Sequence, residues 1–253
     1  MKSRRFLFLP SCFVTVSFLL IFAPALYAAE DSAASKTAYQ TMLDDFLEQR
    51  YDEALAASPA ALEEQPNSYM VHNMLAYIHW QRAEWDKMLE FAEKALKIKD
   101  KDAEMLTLAG RALYMKKEYA RSAETLEQAF AEGRGTPVES PETCFDLAAT
   151  YLELKQYDKA LQWAQQAVSL KPDFATAHYV LGRTYFEAGK FVEAIPNFSK
   201  ALELKESLTV AREYLGQAYV KSGDKEKARQ SFQEVLKFDP ENKTAKENLA
   251  VLQ

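Results

Sequence analysis

The sequence predicts an all-α fold built from repeated pairs of helices, and three observations lead to this prediction. The 253 residues include only 7 glycines and 9 prolines, which disfavours architectures that need many tight turns. Ala, Leu, Glu, Lys and Gln are abundant, and all five favour helices. Similar short segments also recur at a nearly constant distance along the chain.

The first 28 residues have the pattern of a secretory signal peptide. Three basic residues precede an uncharged, mostly apolar run over residues 6–23, and small residues surround Ala28. We expect cleavage after Ala28 or Ala29, followed by a short linker over 29–34. The apolar run of 18 residues is near the lower length limit for crossing a bilayer, so an uncleaved membrane anchor is the alternative. The N-terminal mass of the purified protein separates the two.

Cleavage would leave an acidic body with one thiol. The formal net charge of the chain is −6, and removal of three basic residues takes it to −9, because no Asp or Glu precedes Glu30. An exported protein of this charge is a poor candidate for binding nucleic acid or an anionic membrane surface. Cys144 would be the remaining cysteine, so no intrachain disulfide is expected and the fold must be held by packing.

One type of segment recurs with a step of 34 residues. It begins at an aromatic residue and continues with acidic or polar residues and then Ala or Leu. Its first residues are Tyr51, Trp85, Tyr119, Tyr157, Phe191 and, in a related form, Lys225. The steps are 34, 34, 38, 34 and 34, and the four-residue insertion falls in the turn-like stretch 133–140.

This period resembles the tetratricopeptide repeat (TPR), a helix-turn-helix unit with the pattern W-x2-L-G-x2-Y, then A-x3-F, then P. The last unit matches six of these seven positions, with Leu215, Gly216, Tyr219, Ala228, Phe232 and Pro240. Arg212 is its one departure, because it stands where the family has tryptophan. Earlier units match less completely, and the first unit is the weakest.

The resemblance implies a right-handed α-solenoid of stacked units, each with a first and a second helix. The expected units are 35–68, 69–102, 103–136, 141–174, 175–208 and 209–242, and 243–253 is expected to be a capping helix. Close helix crossings require small side chains. We expect these at Gly110, Gly182 and Gly216 on first helices and at Ala54, Ala160, Ala194 and Ala228 on second helices.

No residue pattern predicts catalysis, a cofactor or a metal. His72, His79 and His178 all lie on predicted first helices, and the first two are seven residues apart, not the four of a helical zinc pair. Packing or capping is the expected role of all three. The Gly-Arg-Gly sequence at 133–135 lacks the ending of a phosphate-binding loop and is expected to be a turn.

The resemblance also implies a partner-binding groove lined by the fifth, ninth and twelfth residues of each unit. The principal candidates are Asn73, Tyr77, Trp80, Thr107, Arg111, Tyr114, Phe145, Tyr179, Arg183 and Phe186. The same positions elsewhere are Tyr39, Leu43, Phe46, Ala149, Leu152, Glu213, Gln217 and Val220. Aromatic residues and arginine are typical of binding hot spots. The alternative is that these aromatics pack between neighbouring first helices.

Four of these residues, Trp80, Arg111, Tyr114 and Arg183, are expected to share one groove for an acidic or C-terminal peptide segment. Removal of both arginines is expected to weaken partner capture and to leave melting nearly unchanged. The alternative is that the arginines pair with acids on the same face and Trp80 packs internally. No first helix carries the Lys-x3-Asn pair that clamps a C-terminal carboxylate in some members of the family, so a chaperone-tail receptor is not expected.

The predicted function is therefore an exported, periplasmic scaffold that binds a protein or peptide partner. A membrane-anchored assembly or transport accessory factor, facing the periplasm, is the first alternative. A ligand-binding protein or enzyme with its site in the groove is the second. The partner's identity, the pathway and the oligomeric state are not predicted by the sequence.

Overall fold

The computed structural model describes residues 36–133 and 140–252. The predicted signal peptide, the linker and residues 134–139 of the inserted stretch lie outside these ranges. Within the described residues the secondary structure consists of thirteen α-helices and no strands. The prediction of an all-α fold is confirmed.

Residues 36–99 form one compact unit of two helix pairs. Its helices are α1 (Ala38–Leu47), α2 (Tyr51–Glu64), α3 (Tyr69–Gln81) and α4 (Trp85–Ile98). Each helix packs against the next one along the chain. Such packing of sequential neighbours is typical of repeat proteins, in which one pair cannot bury its apolar face alone.

Residues 100–252 form a second compact unit, which contains four helix pairs and a final single helix. The helices are α5 (Ala103–Met115), α6 (Tyr119–Gly133), α7 (Pro141–Glu153), α8 (Tyr157–Leu170), α9 (Ala175–Glu187), α10 (Phe191–Leu204), α11 (Thr209–Ser222), α12 (Lys225–Phe238) and α13 (Lys243–Val251). Sequential helices pack together, and the first helices α5, α7, α9 and α11 also contact one another in that order. This second set of contacts brings side chains about one repeat apart onto a common surface.

A left-handed residue ends each first helix and sets the turn into its partner. The residues with positive φ are Gln49, Ala83, Lys117, Lys155, Gly189 and Gly223. Their spacing repeats the period of the sequence. The next N–H donates to a carbonyl five residues earlier, as from Lys190 to Tyr185 at 2.9 Å, which is a common way to satisfy the end of a helix. The second helix of each pair then begins at the recurring segment.

The two helices of a pair approach closely where the first helix carries glycine. A methyl group added at Gly182 would lie 2.8 Å from the ring of Phe198, and one at Gly216 would lie 2.9 Å from the ring of Phe232. At Gly110 the corresponding neighbour is Leu126, at 2.5 Å. A large side chain of the second helix therefore occupies the space that a side chain on the first helix would need.

The final helix α13 covers the apolar face of α12. Ala245 and Leu252 pack in one cluster with Ala228, Phe232 and Val235. The side chain of Asn242 caps the helix by accepting a hydrogen bond from the backbone N–H of Ala245 at 2.9 Å. None of the helices in the described ranges is long and apolar enough to cross a membrane.

The burial of Ala228 generates a stability prediction for the last repeat. Ala228→Glu should lower the free energy of unfolding by about 3 kcal/mol or more, because a charge would enter a site with no exposed surface. Lys225→Glu is the matched control, since Lys225 is exposed at the first turn of the same helix, where a negative charge is favourable. Urea denaturation measures both, and equal stabilities would show that the helix faces are assigned incorrectly.

Candidate functional site

The candidate site is the surface formed by α5, α7, α9 and α11, which we call the first-helix face. Two ion pairs join successive helices there. Arg111 Nε donates to Asp146 Oδ2 at 2.5 Å, and Arg183 Nη2 donates to Glu153 Oε1 at 3.0 Å. The side chain of Asp146 is only 2% exposed, whereas those of Arg183 and Glu153 are each 16% exposed. Arginine suits such sites because its planar group remains charged and donates several hydrogen bonds.

Burial raises the pKa of Asp146 to about 6, although the nearby Arg111 guanidinium lowers it. The second oxygen of this carboxyl, Oδ1, is buried without a hydrogen-bond partner. Desolvation of the charged carboxylate is costly, and the cation beside it compensates part of that cost. The ion pair Arg111–Asp146 therefore helps to hold α5 against α7.

An aromatic cluster surrounds Tyr214 on the same face. Its ring centroid lies 5.9 Å from that of Tyr179, 5.4 Å from Phe186 and 5.6 Å from Phe198. Phe186 also meets Phe191 at 5.2 Å in an edge-to-face contact. Tyr179 is buried, whereas Phe186 and Tyr214 are half-buried and so present part of their rings at the surface.

The other predicted groove residues of this unit make contacts between helices. Thr107 Oγ1 lies 3.3 Å from Thr143 Oγ1 on α7. The ring of Tyr114 lies 5.4 Å from that of Tyr119, and burial raises the pKa of its hydroxyl, with Glu153 adding to the rise. Phe145 is 5% exposed, and its ring lies 5.5 Å from that of Phe174.

The three principal groove candidates within residues 36–99 are buried. Asn73 Nδ2 donates to the hydroxyl of Tyr69 at 3.2 Å. The ring of Tyr77 contacts that of Trp80 at 5.3 Å and that of Phe46 at 5.5 Å. Trp80 and Tyr77 are each 9% exposed and Asn73 is 4% exposed, so all three contribute to the packing of this unit.

These contacts change what the arginines are expected to do. Each guanidinium is held by a carboxylate of a neighbouring first helix, which is the alternative that the sequence left open. The expectation that removing Arg111 and Arg183 leaves melting unchanged is corrected, because removal would leave the buried Asp146 carboxyl without its counter-charge, either charged and desolvated or protonated at a cost. The carboxylates of Asp146 and Glu153 also neutralise much of the positive charge that these arginines would offer to a partner.

Sequence reasoning missed three residues of this face, namely Asp146, Glu153 and Tyr214. They stand at the sixth and thirteenth positions of their units, next to the three positions that define the family's groove. The signal was present, since an acid recurs about one repeat from each arginine, 35 and 30 residues away.

The histidines of α3 serve packing, as expected for His72 and His79. Both imidazoles lie against Phe91, with ring centroids 6.0 and 5.4 Å away. His79 Nδ1 is 2.8 Å from Glu84 Oε2, and burial lowers the pKa of both histidines. In the part of the chain that the structure describes, no group of three His, Cys, Asp or Glu side chains is placed to hold a metal ion.

Loss of Arg111 should reveal the cost of the buried carboxylate. We expect Arg111→Ala to lower the free energy of unfolding by about 3–5 kcal/mol near neutral pH. Lys200→Ala is the control, because it breaks only the exposed pair with Glu203, which is worth about 0–1 kcal/mol. Chemical denaturation measures both variants.

The deficit of Arg111→Ala should shrink on acidification. Without Arg111 the pKa of Asp146 should rise above its value of about 6, so the variant gains stability as the pH falls through that higher pKa, before the wild type does. Below about pH 6 the wild type gains stability at the same rate, and the deficit should then stay constant. A deficit that grows between neutral and mildly acidic pH would contradict this assignment.

Comparison with known proteins supports the repeat assignment in the C-terminal part of the chain. A family model described as TPR repeat matches residues 148–189, and one described as tetratricopeptide repeat matches residues 173–241. A search of curated proteins gives no match. The matched residues include the helices that carry Arg183 and the aromatic cluster.

Solved structures extend the likeness to most of the chain. The type IV pilus biogenesis factor PilW is 21% identical over 88% of this chain and 100% of its own, with a TM-score of 0.72. PilF of Pseudomonas aeruginosa is 18% identical over 85% and 96%, with a TM-score of 0.71. YrrB, described as a TPR protein with an unusual peptide-binding site, is 23% identical over 76% of this chain and 96% of its own, with a TM-score of 0.61. The fold is therefore an all-α helical-repeat solenoid of the kind that TPR proteins form.

Proposed function

We propose that the protein is an exported scaffold that binds a segment of another polypeptide on the first-helix face of residues 100–252. The observation that carries this proposal is the half-buried aromatic pair Phe186 and Tyr214, held in edge-to-face contact beside the Arg183–Glu153 ion pair. Binding is proposed in place of catalysis, because the groups gathered there are ring clusters and ion pairs.

The arrangement suits peptide binding for an energetic reason. Rings that are already packed on one side lose little side-chain entropy when a ligand covers the other side. A guanidinium and a carboxylate fixed beside them offer hydrogen-bond donors and acceptors of known direction. An extended segment could therefore bury apolar side chains on the rings and pair its backbone or polar groups with Arg183 and Glu153.

The comparisons support this proposal in general terms. YrrB is described as having an unusual peptide-binding site, and its fold is similar to that of this chain. Export and a periplasmic location rest on the signal-peptide pattern of residues 1–28.

A membrane-anchored assembly factor is the second candidate function. The 18-residue apolar run over 6–23 favours it if that run is retained, as does the likeness to PilW, which is described as a pilus biogenesis factor. Both candidate functions use the same face to bind protein. They differ in whether the apolar run over residues 6–23 is removed by cleavage or retained as a membrane anchor.

Peptides selected from a randomised displayed library against the mature protein provide the test. Phe186→Ala should weaken their binding at least tenfold, about 1.4 kcal/mol, by fluorescence anisotropy. Val192→Ala is the matched control, because Val192 is 69% exposed on the second helix α10 and should not matter. Thermal melting of both variants confirms folding at the assay temperature. Unchanged affinity in Phe186→Ala would place binding elsewhere.

A further inference from the structure

Arg212 on α11 is a buried cation without an acidic partner. Its residue is only 8% exposed, and its Nη1 atom is buried with no hydrogen-bond partner. No ion pair joins it to a carboxylate within the described residues. It also occupies the position where the last repeat departs from the family pattern, which has tryptophan there.

Such a group is expected to have a compensating partner. Removing a guanidinium from water is costly unless a counter-charge or a full set of hydrogen bonds replaces the solvent. The guanidinium carbon of Arg212 lies 4.5 Å from the ring centroid of Phe238, and this cation–π contact recovers part of the cost. A ring face attracts the charge more weakly than a carboxylate in contact would.

A cleft of about 290 Å³ lies beside Arg212, between α10, α11 and α12. Leu202 and Leu215 supply apolar walls, and Tyr219 and Lys227 supply polar groups. The other charges of the cleft are already paired, because Lys227 Nζ lies 3.0 Å from Asp224 and Glu234 pairs with Lys237. The charge of Arg212 is therefore compensated only in part, by the ring of Phe238, beside an opening whose apolar wall is formed by Leu202 and Leu215.

We propose that this cleft binds a carboxylate attached to an apolar group, as an apolar C-terminal residue of a partner polypeptide would present it. The carboxylate would neutralise Arg212, and the apolar group would lie against Leu202 and Leu215. Carboxylate oxygens match the planar guanidinium, which can donate two parallel hydrogen bonds.

This cleft is separate from the first-helix face. Arg212 and Tyr214 are two residues apart on α11, and each residue turns the helix by about 100°, so their side chains leave it on opposite sides. The inference therefore goes beyond the proposed function. Loss of carboxylate binding would leave peptide binding through Phe186 untouched, and the two results can be told apart.

Titration calorimetry of the mature protein with N-acetyl-leucine tests the proposal, with the neutral N-acetyl-leucinamide as the matched probe. The acid should bind and the amide should not. Arg212→Met should weaken binding of the acid at least tenfold, whereas Lys225→Gln, at an exposed residue of α12, should leave it unchanged. Arg212→Met should also melt no lower than the wild type, because it removes a buried unpaired charge.

Three outcomes would overturn the proposal. Equal binding of acid and amide would remove the role of the charge, and binding of inorganic phosphate without N-acetyl-leucine would make the site one for a free inorganic anion. Destabilisation of Glu234→Gln and Arg212→Met to the same extent would show that these two residues pair in solution. Arg212→Lys, which retains the charge, serves as a second variant and should keep part of the affinity.

Discussion

The close approach of the two helices in the pairs whose first helix carries glycine is the constraint on which the other features depend. Phe198 and Phe232 on second helices lie over Gly182 and Gly216, where any side chain would collide with a ring. Both rings are fully buried, so the contact contributes apolar burial as well as fixing the separation of the helices.

Because neighbouring first helices are held side by side, an ion pair can be buried between them. Arg111 and Asp146 can meet because α5 and α7 lie side by side, and the Asp146 side chain is so little exposed that burial raises its pKa. The consequence for function is that this pair acts within the protein. What remains for a partner on the first-helix face is a set of half-buried rings beside Arg183, together with the Glu153 carboxylate that pairs with it.

The fold could be predicted well from the sequence because the same helix-pair pattern recurs in every unit of the chain. The 34-residue step appears in the structure as left-handed residues with the same spacing, and the glycines of the pattern lie under large side chains. The site was predicted less well. The choice of the fifth, ninth and twelfth residues of each unit selects residues by the helix face on which they lie and not by the contacts that they make. It placed Tyr77 and Trp80 in a groove although the rings pack against each other, and it passed over Tyr214 because that residue stands one position away. Long-range pairs such as Arg183–Glu153 require knowledge of which helices adjoin.

The most direct test of this account is the stability of Gly182→Ala. Alanine favours a helix interior over glycine by about 1 kcal/mol, so the substitution would stabilise the protein if the crossing had room. We expect a net loss of stability in chemical denaturation, because the new methyl group would meet the ring of Phe198 at 2.8 Å. The loss should be smaller when Phe198 is first replaced by Leu. A Gly182→Ala protein more stable than the wild type would contradict the claim that this contact sets the spacing of the helices.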